Sequence, residues 1–200
     1  MFKLIYYIIT MYQKVTNRLE YINQVKQLLP KNPLCLEIGV YEGIFAKTMY
    51  QVLEPKQLFL IDPFEDVNLK VTNQTTYKNQ NNHKIVYSTD KQLKQVENLL
   101  GEGIKNDTII IDKNLSTDTV NNYRRNFFDF IYIDACHLYE CVKWDIENYF
   151  PKLKTGGYIG GHDYGDFGVT QAVDEFCEKN GYEIKILCTY QGDWLLTPKK

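Results

Sequence analysis

Short, continuously apolar runs alternate along this chain with stretches whose apolar residues recur every three to four positions. The runs are Leu34–Ile38, Gln57–Ile61, Asp107–Asp112, Asp129–Asp134 and Gly157–Gly161. Each has the length of a strand, and a strand that is apolar on both faces belongs to a parallel sheet covered on both sides. The periodic stretches between them predict helices over Ile44–Leu53, Lys91–Leu100, Tyr139–Phe150 and Val169–Lys179. In the last of these, Val169, Ala172, Val173, Phe176 and Cys177 fall on one helical face. Asn180-Gly181 supplies its stop signal. The alternation breaks near the C-terminus. Glu183–Tyr190 and Asp193–Thr197 are separated only by Gln191-Gly192. So short a link makes them antiparallel, because a parallel pair needs a longer crossover. The expected fold class is therefore α/β: a mostly parallel sheet, an antiparallel C-terminal strand, and helices on both faces.

Two segments fall outside this pattern. The apolar run Leu4–Ile9 is flanked by Lys3 and Thr10. It is far shorter than the roughly 20 residues a spanning helix needs. No small-residue cleavage site follows it. It is expected to form a helix packed on the domain, with residues 1–30 as a helical extension and 31–200 as one α/β domain. Pro63–Lys84 is polar, rich in Asn and Gln, and has no clear period. A long stretch of this kind is either a substrate-contacting loop or a solvated insertion.

Composition narrows the class of partner. The 200 residues carry 23 basic and 25 acidic side chains, a net charge of −2. This argues against an unassisted nucleic-acid binder and rules out neither a local basic patch nor a small-molecule substrate. No stable membrane insertion is expected, and a homo-oligomer stays open. Five cysteines without a CxxC pair argue against a disulfide framework and for a reducing, cytoplasmic setting.

The candidate chemistry lies where strands end. Glu37-Ile38-Gly39-Val40-Tyr41-Glu42-Gly43 follows the first strand. Gly39 would let a ligand approach the backbone, and Gly43 opens a helix whose N-terminus favours a carboxylate. Glu37 can accept hydrogen bonds from an ammonium. Tyr41 stands where the second glycine of GxGxxG would be, so the loop suits a nucleoside ligand without a pyrophosphate. Asp62 closes the second strand, where an acidic residue can accept the hydroxyls of a ribose. Strand four ends in Asp134, with His137 three residues on, and strand five runs into His162-Asp163. Paired carboxylates suit a hard cation such as Mg²⁺, which could bind a hydroxyl and lower its pKa. His137 could then take the proton.

These motifs resemble the class I S-adenosylmethionine-dependent methyltransferases, in the branch of metal-dependent sugar and macrolide-sugar O-methyltransferases of macrocin and mycinamicin type. LEIGVYEGIFA (Leu36–Ala46), LIDPF (Leu60–Phe64), DFIYIDACHLYECVKWDI (Asp129–Ile146), LKTGGYIGGHDY (Leu153–Tyr164) and GVTQAVDEFC (Gly168–Cys177) carry the resemblance. It implies a Rossmann-like, seven-stranded sheet with the last strand antiparallel. It implies that Glu37, Gly39, Val40, Tyr41 and Gly43 line the methionine end of S-adenosylmethionine, with Asp134 nearby. Asp62 would hold the ribose, and Asn114 and Ser116 would lie near the adenine. Asp134 and Asp163 match metal carboxylates, with His162 beside them as a third ligand, and His137 matches the general base. The implied reaction is Mg²⁺-dependent O-methylation of a sugar or glycan. A catechol-like or other small hydroxylated acceptor is an alternative. So, from other classes, are a nicotinamide-dependent oxidoreductase and a non-catalytic nucleoside-binding module.

Overall fold

The computed structural model describes residues 13–65, 89–188 and 192–199. The expected N-terminal helix over Leu4–Ile9 and most of the polar stretch Pro63–Lys84 lie outside the described residues. In chain order the elements are β1 (Gln13–Val15), α1 (Arg18–Lys26), β2 (Leu34–Ile38), α2 (Ile44–Leu53), β3 (Gln57–Ile61), α3 (Asp90–Lys105) and β4 (Ile109–Asp112). There follow α4 (Ser116–Thr119), β5 (Phe128–Ile133), α5 (Tyr139–Tyr149), β6 (Leu153–Gly161), α6 (Phe167–Asn180), β7 (Tyr182–Cys188) and β8 (Trp194–Pro198).

The strands form one sheet in the order β1-β7-β8-β6-β5-β2-β3-β4. β8 runs antiparallel to both β6 and β7, and every other pairing is parallel. The seven expected strands are present, and β1 adds an eighth at the edge through Gln13↔Ile186 to Val15↔Cys188. Three residues carry too little pattern to announce a strand.

β5 lies in the middle and is buried along its whole length. Its side chains alternate between two cores. Phe130 and Tyr132 pack with Ile22, Phe45, Met49 and Val96 from α1, α2 and α3. Ile131 and Ile133 pack with Val142, Ile146, Val173 and Phe176 from α5 and α6. This two-sided burial is what turns the apolar runs into parallel strands.

Element ends moved where local geometry overrides pattern. β4 starts two residues later than expected, because Asp107 adopts a left-handed φ of 59° and Asn106 Oδ1 accepts the Thr108 N–H. α3 runs on through Gly101 and Gly103 to Lys105. A Cβ on Gly103 would lie 2.7 Å from Ile109 Cδ1, so close packing on β4 compensates for its poor helix propensity. α6 begins with Asp166 accepting the Gly168 N–H and ends at Gly181 with φ 69°, as its stop signal implied.

One buried carboxyl serves no apolar purpose. Asp145 on α5 is 3 % exposed, and its Oδ1 has no hydrogen-bond partner among the described residues. Burial pushes its pKa up to about 7, and a hydrogen bond with Ser116 only partly opposes this. The folded state thus holds a proton that the unfolded chain releases near pH 4. The contribution to stability is full below that pH and is lost as pH rises through 7. Asp145→Asn should therefore gain stability relative to the native protein between pH 5 and pH 8, measured by urea unfolding at both. An unchanged difference would mean that the carboxyl keeps one charge state throughout.

Candidate functional site

The site is built on the carboxyl ends of β2, β3, β5 and β6, where open α/β sheets bind ligands. Glu37, near the end of β2, is 1 % exposed, and its Oε2 has no hydrogen-bond partner among the described residues. Burial, and then the neighbouring Asp134 charge, hold its carboxyl well above the usual range, with Arg18 opposing. A buried carboxylate without a donor is the fit expected of a group that awaits an ammonium.

Gly39 follows with φ 86°, its N–H donating to Ile61 O at 2.9 Å. A Cβ there would lie 2.2 Å from the Asp134 carbonyl oxygen. That direction is filled by the chain leaving β5, so Gly39 brings two strand ends together. Gly43, at φ 75°, caps α2 without a side-chain hydrogen bond, and no acidic residue lies in the first turn. That leaves the positive end of the helix suited to an anion.

Asp62 is buried at the end of β3. Its Oδ2 accepts the N–H groups of Val40 (2.9 Å) and Tyr41 (3.0 Å), and its Oδ1 that of Phe64 (2.9 Å). Its first task is thus to pin the β2 loop and hold Tyr41 at its left-handed φ of 50°. Past the end of β4, Asn114 bonds back to Asp112 through Nδ2 at 2.7 Å, and the Ser116 carbonyl accepts the Tyr149 hydroxyl at 2.8 Å. Both lie on the same edge of the sheet, beyond β3.

The second cluster gathers Asp134, His137, His162 and Asp163. The Asp134 and His162 N–H groups donate to Ile38 O and Ile133 O, which fixes both residues just past the sheet. Asp163 sits at φ 58°, and such strain in a non-glycine residue is typical of functional turns. Its Oδ2 is 2.9 Å from His162 Nδ1 and 3.0 Å from His137 Nε2. Burial raises the Asp163 pKa, but the two imidazoles outweigh this and hold it well below the usual range. The same hydrogen bond raises the His137 pKa against burial. His162 is pushed down by burial and, on balance, raised by Asp163 and Asp134. His162 Nδ1 is also 3.7 Å from Asp134 Oδ1. One donor atom each from Asp134, His162 and Asp163 lies within 4.8 Å of the others, so these residues could share a cation. His137 is half-exposed beside them. Its carbonyl packs so close to Gly168 that a Cβ there would come to 2.3 Å, which locks the loop onto α6.

Sequence reasoning missed Arg18. From the start of α1 its guanidinium donates to Asp134 Oδ2 (2.9 Å), Asp193 Oδ1 (3.0 Å) and the Tyr132 hydroxyl. It lies 4.1 Å over the Phe45 ring. Asp193 is fully buried. No sequence signal links positions 116 residues apart, and Arg18 falls in a stretch that reads only as a helical extension. Arg18→Ala would strand Asp193 without its cation. The expected loss is about 3 kcal/mol of stability, the low end for breaking a buried pair because Arg18 is itself a quarter exposed. Urea unfolding at pH 7 measures it, and a loss under 1 kcal/mol would count against a buried pair.

Residues 36–164 match the family described as "Methyltransferase domain". No curated protein matches the sequence. Among solved structures, the O-methyltransferase NovP superposes with a TM-score of 0.67 at 17% identity, over 92% of this chain and 80% of NovP. An O-methyltransferase from Bacillus cereus, solved in complex with SAH, gives 0.58 at 13% identity, over 89% and 78%. A ribosomal protein L11 methylase from Lactobacillus delbrueckii subsp. bulgaricus gives 0.57 at 13%, over 93% and 81%. At such identities the likeness speaks for the fold, and the fold serves acceptors as different as these. The match over residues 36–164 covers well over half of the chain and contains the carboxyl ends of β2, β3, β5 and β6, and on that ground the chain belongs to the methyltransferase domain family.

Proposed function

We propose that this methyltransferase carries a methyl group from S-adenosylmethionine to a hydroxyl of a sugar or glycan, with a divalent cation at Asp134, His162 and Asp163. The observation that carries the reading is the 3.0 Å pair of His137 Nε2 with Asp163 Oδ2, set beside the Asp134–His162 contact. A carboxylate that accepts from one ring nitrogen leaves the other free to act as base, the arrangement of an oriented general base. Glu37 Oε2, without a hydrogen-bond partner among the described residues, and the uncapped start of α2 suit the ammonium and carboxylate of an amino-acid group.

When bound, S-adenosylmethionine supplies an electrophilic sulfonium methyl. The new O–CH₃ bond forms as the S–CH₃ bond breaks, and S-adenosylhomocysteine leaves. The chain has two tasks: to align the acceptor oxygen, and to take one proton. His137 Nδ1 is the atom assigned to that proton, and Asp163 stabilises the imidazolium that results. A cation held by Asp134, His162 and Asp163 would lower the pKa of the acceptor hydroxyl, and Mg²⁺ is the ion the family resemblance implies.

A second acceptor class has an observation of its own. The large hydrophobic side chains that stand exposed among the described residues are Leu19, Tyr41, Ile44, Leu115 and Leu138. Leu19 follows Arg18 on α1; Tyr41, Leu115 and Leu138 lie on the connections leaving β2, β4 and β5, and Ile44 opens α2. An acceptor with an apolar or aromatic body would cover them. Among the described residues no helix is long and apolar enough to cross a membrane.

The test is methyl transfer from labelled S-adenosylmethionine to a panel of sugars, glycans, catechols and phenols, with and without Mg²⁺. His137→Ala should slow transfer about 10²-fold or more while S-adenosylhomocysteine affinity stays the same. An unchanged rate removes His137 from the base role. Full turnover in excess EDTA removes the cation and leaves the His137–Asp163 pair acting alone. Tight binding of NAD without S-adenosylhomocysteine would overturn the reading altogether.

A further inference from the structure

The cation cluster has a donor set that departs from a magnesium site. We propose that Asp134, His162 and Asp163 select a transition cation of the Mn²⁺, Fe²⁺ or Co²⁺ kind over Mg²⁺, with the His162 imidazole as the selecting ligand. This rests on the reading of the trio as a metal centre.

The geometry makes the imidazole hard to avoid. Neighbouring ligands on an octahedral ion at about 2.1 Å are about 3 Å apart. His162 Nδ1 stands 2.9 Å from Asp163 Oδ2, which is that spacing, and 3.7 Å from Asp134 Oδ1. An ion that bridges Asp134 Oδ1 and Asp163 Oδ2 thus lies within reach of the ring nitrogen. The residue is fixed where it stands. Its N–H donates to Ile133 O at 3.0 Å, and its carbonyl accepts the Trp194 indole N–H at 3.1 Å. Before it, Gly161 packs so tightly that a Cβ would come within 2.4 Å of Ile133 O. The other ring nitrogen is buried without a hydrogen-bond partner among the described residues, so these two carboxylates are the polar anchors of the ring.

Oxygen donors, meanwhile, are few. Arg18 takes Asp134 Oδ2 at 2.9 Å and turns only Oδ1 toward the cluster. Asp163 Oδ2 is shared with His137. Mg²⁺ is bound through oxygen, keeps most of its water, and gains little from an imidazole. Later divalent ions of the first transition row bind nitrogen progressively better, and imidazole suits them. One oxygen of Asp134, the Asp163 carboxylate and one ring nitrogen are a donor set for that class.

The experiment uses the full chain, stripped of metal, and follows Mn²⁺ by electron paramagnetic resonance. Bound Mn²⁺ should show the electron spin-echo modulation of a directly coordinated ¹⁴N. Mg²⁺ should displace it only at an excess on the order of 100-fold or more. In His162→Asp the nitrogen modulation should vanish, and the excess of Mg²⁺ needed should fall about 10-fold or more, because an oxygen replaces the nitrogen. The nitrogen signature is read on the native protein, so it stands even where the variant fails to fold. Displacement of Mn²⁺ by Mg²⁺ at comparable concentration, or Mn²⁺ binding without nitrogen modulation, overturns the selection and leaves the metal centre standing. If the native protein binds neither ion, the metal reading itself fails and the selection goes with it.

Discussion

One guanidinium holds the acidic edge of this protein together. Arg18 reaches Asp134, Asp193 and Tyr132 at once and lies over Phe45. Asp193 is fully buried and Tyr132 is a core residue of the central strand. A carboxylate so far from water is tolerable only next to a cation. The fork of an arginine can serve several acceptors together, which a lysine ammonium on a flexible stem does poorly. Through this contact α1 is joined to Asp134 and Asp193. It ties β5 to the turn before β8 and fixes which oxygen of Asp134 faces the histidines.

Charge left over from that network sets what the pocket can hold. Burial raises the pKa of both Glu37 and Asp134; the Asp134 charge adds to it for Glu37, and the Asp163 charge adds to it for Asp134. Asp163 goes the other way because two imidazoles surround its Oδ2. Neighbouring carboxylates are thereby pushed to opposite sides of their ordinary range, a common mark of acid–base sites. A region lined by the Glu37, Asp134 and Asp163 carboxyls suits positive ligands. A sulfonium, an ammonium and a divalent cation all meet that description, whereas a pyrophosphate does not.

Backbone contacts fix the distances within which this chemistry must work. Gly39 brings the β2 loop against the chain leaving β5, Asp62 ties that loop to β3, and Gly168 seats the His137 loop on α6. These residues set spacing through packing and need not touch a ligand. Gly39 illustrates why the distinction matters. A glycine in a βα turn looks the same in sequence whether its missing side chain makes way for a ligand or for a neighbouring strand.

Much of the architecture was legible from residue order. Apolar runs such as Asp129–Asp134, together with the helical face of Val169 to Cys177, pointed to the parallel sheet, and the short Gln191-Gly192 link to the antiparallel end. Local signals suffice there because strand and helix periods are written within a few residues. The acidic and histidine residues at the strand ends could also be named, since parallel sheets put those ends on one edge. What the sequence by itself determined was thus the fold class and the inventory of the edge. Tertiary structure decided how that inventory is divided: which oxygen of Asp134 meets Arg18, why Asp62 serves the loop, and that Asp163 is shared by two imidazoles. The reason is separation. A hydrogen bond or ion pair depends on ångström distances between residues up to 175 positions apart, and only the packed fold sets those distances.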